Sequence, residues 1–242
     1  MNKKFIEVEA GVFQLEPGAQ GGNIEYKDGK PLYRFMDSLY IREQNLHLLS
    51  PEDVTNLCRA RSNNIDLIGG ANYRVKEIFR KYLEIASPSI IFEIGAGTLP
   101  LMTAAPVGMT YILSDADPKA ANEVSDGENF CVFSKSDYKL SYEDNYFDLV
   151  VAVFVFQFKV YEQQIKELYR CIGESGIILA NVYRRPQGSR ADLTKEFKSV
   201  GFFVSILDDP EKLCKEHEYW IIGKSESSNS AAAAIFRSII GI

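Results

Sequence analysis

Short apolar segments alternate with segments of helical spacing along residues 90–222, and this alternation restricts the fold more than any other feature. Strands that are apolar on both faces are typical of a parallel sheet covered by helices on both sides. The pattern predicts an α/β fold, a doubly wound, seven-stranded and mostly parallel sheet, with its ligand beyond the carboxyl ends of the strands. The predicted strands are Ile90–Ile94, Thr110–Leu113, Phe130–Phe133, Phe147–Phe156, Gly176–Val182, Phe202–Leu207 and Tyr219–Ile222.

Three regions are predicted along the chain. Residues 1–71 form an N-terminal extension that serves as a cap and substrate lid, residues 72–224 form the core, and residues 225–242 form a C-terminal tail ending in AAAAIFRSIIGI. In the extension, Asp28-Gly29 favours a hairpin turn, and Ser50-Pro51 favours a helix start. The predicted helices of the core are Asn72–Ile85, a brief one at Leu99–Ala105, one opening at Pro118–Val124, Val160–Ile172 and Leu193–Val200.

Composition and charge restrict the classes of partner that this chain is expected to bind. The formal charge of -6 and pI near 5.2 argue against a nucleic-acid surface, which is usually basic. No apolar run approaches the roughly 18 residues of a membrane span, and the N-terminus has no signal-peptide core. The four cysteines and two histidines show no metal-ligand spacing. These observations predict a cytoplasmic chain with reduced cysteines, no metal site and no membrane partner.

The turn after the first predicted core strand, within the sequence IIFEIGAGTLP of residues 90–100, places two glycines in three positions. Gly95 and Gly97 would let a ligand approach the main chain closely. The candidates are a dinucleotide or a nucleoside without phosphates. A dinucleotide turn favours a third glycine, but Pro100 stands there, and Glu93 would repel a pyrophosphate. The turn therefore favours a ligand with positive charge and no phosphate.

The sequence from Glu93 to Thr98 resembles the first motif of class I S-adenosylmethionine-dependent methyltransferases. The similarity continues in order along residues 72–224. Its further segments are Ser114–Pro118 at the second strand, Ser136–Tyr138, the lead Tyr142–Val150 into the fourth strand, and Leu168–Gly176 before the fifth. The resemblance implies that the cofactor is S-adenosyl-L-methionine and the product S-adenosyl-L-homocysteine.

The resemblance also implies roles for the acidic residues. Glu93 would act on the methionine amino end of the cofactor, directly or through the backbone of the glycine turn. Asp115 lies at the distance expected of a ribose-binding acid, whereas Asp117 directly precedes Pro118, a pattern typical of a helix cap. We expect Asp115 to bind the ribose and Asp117 to cap. The cofactor-binding residues predicted are Glu93, Gly95, Ala96, Gly97, Asp115, Ala116, Asp137, Tyr138 and Phe154.

The acceptor is expected near the end of the fourth strand. Many small-molecule enzymes of this family carry a histidine near the position of Gln157, and this sequence does not. Gln157 can orient a hydroxyl or amine but is not a useful base. Tyr73 is the second catalytic candidate, and Arg74, Tyr40 and Arg42 are weaker ones, with ordinary packing as the alternative for all four. The expected substrate-binding residues are Tyr183 and Arg184, with Arg185 as a further member of the same basic loop.

The leading interpretation is a methyltransferase that acts on a small molecule by in-line displacement. A non-catalytic partner subunit with the same fold is the alternative, motivated by the missing histidine and by the tail. A homodimer through the N-terminal region or the tail is also predicted as possible. A nicotinamide-dependent reductase is disfavoured because Pro100 replaces the expected glycine.

Overall fold

A computed structural model describes residues 5–36, 38–64, 69–121 and 129–242. The chain divides into two compact units, residues 1–69 and 70–242. The division lies close to the predicted boundary between residues 71 and 72. The role of the first unit as a cap and lid stays a prediction.

The first unit contains a five-stranded antiparallel sheet in the order β1-β2-β5-β4-β3. Helix α1, Pro51–Ser62, packs against β1 and β2. Its start carries a capping box in which Ser50 and Asp53 each bind the other's backbone N–H, which satisfies donors that the first turn leaves open. The strands are β1 Phe5–Glu9, β2 Val12–Leu15, β3 Ile24–Lys27, β4 Lys30–Met36 and β5 Leu39–Ile41.

The second unit contains a seven-stranded sheet in the order β11-β12-β10-β9-β6-β7-β8. Only β12 runs antiparallel to its neighbours, so the predicted doubly wound, mostly parallel sheet is confirmed. The strands are β6 Ile90–Ile94, β7 Thr110–Asp115, β8 Phe130–Val132, β9 Phe147–Ala152, β10 Ile172–Val182, β11 Phe203–Asp208 and β12 Glu218–Gly223.

Helices cover both faces of this sheet. On one face α2 and α5 pack over the sheet, with Phe79 and Phe236 in edge contact at 6.0 Å. On the other face α3 and α4 do the same through residues such as Leu168 and Phe197. Burial on both sides explains why the strands read as continuous apolar runs. The helices are α2 Gly70–Ala86, α3 Glu162–Cys171, α4 Gln187–Val200 and α5 Glu226–Ile240.

The C-terminal tail folds onto its own domain as helix α5. The Ser225 side chain caps it by accepting a hydrogen bond from the Ser228 N–H, and Phe236 is fully buried beneath the sheet. The apolar side chains of the tail therefore pack within this unit. Among the described residues, no helix combines the length and apolar character needed to cross a membrane.

Several predicted elements differ in the structure. Leu99–Ala105 contains no helix, and β9 ends at Ala152 rather than at Phe156. A 3-10 turn, Pro118–Ala120, begins where the short helix was expected, and the end of that expected helix lies outside the described residues. The first two differences have their cause at the candidate site, below.

A buried carboxylate joins α3 to the loop before β9. Glu167 accepts hydrogen bonds from the Leu140 N–H at 2.8 Å, from Arg170 at 2.6 Å and from Lys139 at 3.3 Å. Burial alone would raise the pKa of Glu167, but these hydrogen bonds outweigh it and lower the pKa to about 2. Since the folded protein holds Glu167 ionised, the pairing stabilises the fold above the ordinary glutamate pKa and is lost as pH falls.

We expect Glu167→Gln to lower the free energy of unfolding at pH 7 by about 2 kcal/mol, because Arg170 loses its buried carboxylate partner. The difference from wild type should shrink as pH falls from 4.5 toward 2, measured by urea unfolding at a series of pH values. Glu162→Gln, a substitution on the same helix at a solvent-exposed residue, should leave the free energy of unfolding unchanged within experimental error. A Glu167→Gln effect independent of pH would contradict the assignment.

Candidate functional site

Two turns meet where the strand order of the large sheet reverses, between β6 and β9. A Cβ built on Gly95 would lie 2.6 Å from Cγ2 of Val155, so the turn after β6 packs directly against the turn after β9. A Cβ built on Gly97 would meet only Oδ2 of Asp115, at 3.9 Å. Both glycines have positive φ, 67° and 54°. Gly95 is therefore needed for packing, and Gly97 leaves open space beside a carboxylate.

Glu93 lies inside the sheet rather than at a solvated strand end. It is 2% exposed; both carboxylate oxygens lie 3.0 Å from the Leu101 N–H, and the Tyr111 hydroxyl donates to Oε2. Burial raises the pKa of Glu93 to about 7, although the Leu101 N–H and the nearby Lys76 and Arg80 act in the opposite direction. The carboxylate thus fixes the loop that follows the glycine turn, which favours the indirect role among those expected for it.

The cationic side chains beside Glu93 bind the same loop from α2. Lys76 Nζ donates to the Leu99 carbonyl at 2.6 Å, and Arg80 Nε donates to the Leu101 carbonyl at 2.8 Å. The backbone groups of this loop are therefore bound by side chains instead of by one another. This arrangement explains why Leu99–Ala105 is not helical.

Asp115 and Asp117 take different positions, as expected. Asp115 Oδ2 accepts a hydrogen bond from the Gly97 N–H at 2.9 Å, and Oδ1 accepts one from the Asp117 N–H at 2.8 Å. Asp117 caps the 3-10 turn by accepting from the Lys119 N–H. Burial raises the pKa of Asp115, and the backbone donors oppose that shift. The acid at the end of β7 is therefore tied to the glycine turn, with lone pairs left for a ligand.

The remaining predicted cofactor residues lie around the same edge. Ala96 is buried and its N–H donates to the Ser114 carbonyl, at 2.9 Å, whereas Ala116 is exposed. Asp137 and Tyr138 lie on an exposed loop after β8. That loop is closed by paired backbone and side-chain hydrogen bonds between Ser134 and Asp137. Their roles toward a cofactor stay predictions.

Two side-chain amides hold the peptide groups of Phe154. Its N–H donates to Asn181 Oδ1 at 2.6 Å, and its carbonyl accepts from Gln157 Nε2 at 3.0 Å. Phe154 has a φ of 60°, a left-handed conformation that costs a non-glycine residue about 1 kcal/mol or more. These contacts end β9 at Ala152 and explain why the strand is shorter than predicted. Gln157 is 5% exposed, and its Oε1 has no hydrogen-bond partner within the described parts of the chain.

Three residues beyond the end of β10 differ in their surroundings. Tyr183 contacts Phe154 edge to face at 5.8 Å, and the Arg184 guanidinium lies 5.4 Å from the Tyr183 ring centre. Arg185 is buried and donates to the carbonyls of Phe156 and Phe158, at 3.0 and 2.8 Å. Arg185 therefore holds the turn after β9 from within, while Tyr183 and Arg184 remain the substrate-binding candidates.

The N-terminal catalytic candidates lie in two different units. Tyr73 is 68% exposed on α2. Its neighbour Arg74 binds Asp209 through Nε and Nη2 at 2.8–3.1 Å. Tyr40 and Arg42 belong to the first unit, where Tyr40 is fully buried and Arg42 binds backbone carbonyls of the β3–β4 hairpin. Packing and structural hydrogen bonds therefore account for Arg74, Tyr40 and Arg42, and the catalytic role of Tyr73 stays a prediction.

The sequence analysis missed His217 and Asn181. His217 directly precedes β12, and its ring stacks on Tyr183 at 4.6 Å and meets Phe154 edge to face at 5.9 Å. Because β12 is antiparallel, a residue just before it lies at the carboxyl edge of the parallel strands. If the predicted strand Tyr219–Ile222 is taken as antiparallel, this rule places His217 at the edge of the sheet where the sequence has no histidine near Gln157.

The sequence of residues 92–180 matches the family described as "Methyltransferase domain". The match runs from β6 through the glycine turn, Asp115 and β9 into β10. Residues 92–180 therefore resemble a methyltransferase domain, and this match supports the predicted class I S-adenosylmethionine-dependent methyltransferase family. The predicted cofactor, S-adenosyl-L-methionine, is the cofactor of this family.

Solved structures share the fold of the methyltransferase domain. A TehB-like SAM-dependent methyltransferase from Corynebacterium glutamicum superposes with a TM-score of 0.51 at 16% identity, over 73% of this chain and 100% of that one. A possible histamine N-methyltransferase from Thermotoga maritima gives 0.42 at 16% identity, over 61% and 89%. The CurJ carbon methyltransferase gives 0.48 at 16% identity, over 76% and 61%. The latter two superpositions are too loose to support an argument. No curated protein sequence matches the chain significantly.

We expect Glu93→Gln to gain stability relative to wild type as pH rises from 4.5 to 8, by about 2–3 kcal/mol. The folded protein holds the Glu93 carboxyl with a pKa near 7, so its favourable contribution is full at low pH and lost as it ionises in its buried position. A glutamine has no charge to bury. Urea unfolding of both proteins across this range measures the difference, and a gap that does not change with pH would refute the prediction.

Proposed function

We propose that the methyltransferase domain binds S-adenosyl-L-methionine where the turns after β6 and β9 meet, and transfers its methyl group to a small-molecule acceptor by in-line displacement, releasing S-adenosyl-L-homocysteine. The observation that carries this proposal is the bond between Asp115 Oδ2 and the Gly97 N–H, at 2.9 Å. This hydrogen bond joins the glycine turn to the β7 acid at Gly97, where a Cβ would meet only Asp115 Oδ2 among the described residues.

The surrounding residues fit this cofactor. Asp115 has carboxylate lone pairs available for the two ribose hydroxyls. The lack of a side chain at Gly97 suits close approach by the methionine portion, and Glu93 acts through the loop that it holds. Asp137 and Tyr138, on the loop after β8, would contact the adenine. The absence of a phosphate-binding third glycine is consistent with a ligand that carries no phosphate.

Bound S-adenosylmethionine supplies a methyl group already activated by a positively charged sulfur. The protein must then align the acceptor and exclude water. Gln157 contributes an acceptor atom, because its Nε2 is fixed on the Phe154 carbonyl and its Oε1 faces no donor among the residues described. Oε1 can therefore orient a hydroxyl or amine of the acceptor. It has no accessible pKa for removing a proton.

Tyr183 and Arg184 would bind the acceptor beyond β10. Tyr183 presents a half-buried ring and Arg184 a guanidinium that can pair with an anionic group. The N-terminal extension would serve as the substrate lid, and Tyr73, on α2, would approach the methionine end of the cofactor. The predicted cytoplasmic location and homodimer belong to this proposal as well.

A non-catalytic subunit remains the second candidate. One of the two observations that suggested this candidate is the apolar tail, and the packing of Phe236 and Ile240 within the domain explains it. The other observation is that the sequence has no histidine near Gln157, although His217 lies at the same edge of the sheet.

We expect isothermal titration calorimetry to detect binding of both S-adenosylmethionine and S-adenosylhomocysteine, and Asp115→Ala to weaken both at least about tenfold. The reason is the loss of charge-assisted hydrogen bonds worth about 1.5–3 kcal/mol. Asp115→Asn, which keeps an acceptor for one backbone N–H, separates ribose recognition from the shape of the turn, since it should also bind weakly but fold normally.

Asp144→Ala is the matched control. It removes an exposed carboxylate that pairs with Arg170 at the amino end of β9, and cofactor affinity should not change. Equal affinity in wild type and Asp115→Ala would overturn the assignment of the site. Transfer of a tritiated methyl group to a panel of small hydroxyl, amine and carboxyl compounds then tests catalysis. Binding without transfer to any of them would favour the non-catalytic candidate.

A further inference from the structure

A cluster of three rings surrounds a single buried amide at the carboxyl edge of the sheet. Asn181, at the end of β10, is fully buried, and His217 is 5% exposed. Phe154 and Tyr183 complete the cluster and are each half-buried. The cluster adjoins the proposed cofactor site, because Val155 packs on Gly95. It is the place on this edge where aromatic surface and polar groups come together.

The orientation of the Asn181 amide follows from its contact with Phe154. A backbone N–H can only donate, so the atom 2.6 Å from the Phe154 nitrogen is the amide oxygen. The amide nitrogen, Nδ2, then faces His217 Nδ1 at 3.5 Å. An amide nitrogen is a donor only, so Nδ1 accepts and carries no hydrogen. The imidazole is therefore neutral, with its single hydrogen on Nε2.

The surroundings of His217 favour the same neutral state. Burial, the largest influence, lowers its pKa, and Arg190 acts in the same direction, while Asp209 and Glu216 oppose the shift. Asp209 cannot pair with the ring strongly, since its carboxylate is already bound by Arg74 and by the Tyr219 hydroxyl at 2.5 Å. An imidazole so placed keeps its donor hydrogen at neutral pH.

We infer that His217 orients the acceptor molecule as a hydrogen-bond donor, with Nε2–H binding a carbonyl or carboxylate oxygen of an apolar or aromatic compound. No described residue accepts a hydrogen bond from Nε2. A neutral imidazole that bears its hydrogen on the ligand side cannot take a proton from the acceptor, so His217 is a positioning residue and not a general base. Only the identification of this ligand with the methyl acceptor rests on the proposed function.

The matching group is Gln157, on the other side of the Phe154 peptide. Asn181 accepts a hydrogen bond from the Phe154 N–H and donates one to His217. Gln157 donates a hydrogen bond to the Phe154 carbonyl, and its Oε1 remains as an acceptor. The two amides thus fix one donor and one acceptor on either side of a single residue. A compound with both a carboxylate or carbonyl and a hydroxyl or amine satisfies this pair, whereas one with neither leaves buried polar groups unpaired.

Imidazole NMR tests the tautomer directly, because the chain contains only two histidines. Nitrogen-15 spectra of the full chain should show His217 neutral at pH 7 with its hydrogen on Nε2, and His47→Gln assigns the resonances. Asn181→Asp should reverse the tautomer, because a carboxylate accepts from Nδ1–H, and should raise the pKa of His217. A hydrogen on Nδ1, or a charged ring at pH 7, in the wild type would overturn the inference.

Ligand binding is tested with benzoate as the probe and benzylamine as a control of equal size that lacks an acceptor oxygen, each added in the presence of saturating S-adenosylhomocysteine. Benzoate should shift the His217 Nε2–H resonance and benzylamine should not. His217→Phe keeps the stacked ring but removes the donor, and should weaken benzoate binding at least tenfold. His217→Gln places an amide donor near the position of Nε2 and should restore affinity to within about threefold of wild type.

Each result decides the inference. No benzoate shift at high millimolar concentration, or equal benzoate affinity in His217→Phe, would refute the donor role. Calorimetry with S-adenosylhomocysteine on the same variants separates this failure from failure of the cofactor proposal. Cofactor affinity retained in His217→Phe, together with lost benzoate binding, supports the assignment.

Discussion

A buried carboxylate determines the shape of the glycine turn in this domain. Glu93 points into the sheet from β6, and its pKa of about 7 reflects the free energy needed to keep it there. Burying such a group is tolerable only when donors surround it, and the donors are the Leu101 N–H and the Tyr111 hydroxyl. The loop must therefore stay extended enough to present that N–H. The two glycines before it then lie at the sheet edge, with Gly95 packed on Val155 and the Gly97 N–H bound by Asp115.

The turn after β9 follows the same principle with amides in place of a carboxylate. Phe154 adopts a left-handed conformation that is unfavourable by itself, and Asn181 and Gln157 compensate by binding its N–H and carbonyl. Arg185 binds two further carbonyls of this turn. Both turns at the reversal of strand order are thus held by buried polar side chains from neighbouring elements. Such support restricts the motion of the residues in these turns, and this restriction is a condition for aligning an acceptor with a methyl donor.

Most of the sheet could be predicted because its strands are buried on both faces, and burial leaves a continuous apolar pattern in the sequence. Two of the errors fall at the two turns of the candidate site. Leu99–Ala105 has residues compatible with a helix, but its backbone groups bind Glu93, Lys76 and Arg80. The apolar run of β9 continues to Phe156, yet hydrogen bonds from β10 end the strand earlier. Lys76, Arg80 and Asn181 are distant in sequence from the groups that they bind, so the local pattern does not reveal these contacts.

His217 shows the same limit for the candidate site. Its place at the carboxyl edge depends on β12 running antiparallel, and its tautomer depends on an asparagine 36 residues earlier in the chain. The family resemblance directs attention to the position of Gln157, where the histidine carried by many similar enzymes is missing. The geometry instead supplies a donor at His217 and an acceptor at Gln157, and neither of these two groups can remove a proton. A reaction in such a site suits an acceptor atom that is already nucleophilic at neutral pH, such as a carboxylate oxygen or an unprotonated amine, because alignment alone then suffices for transfer.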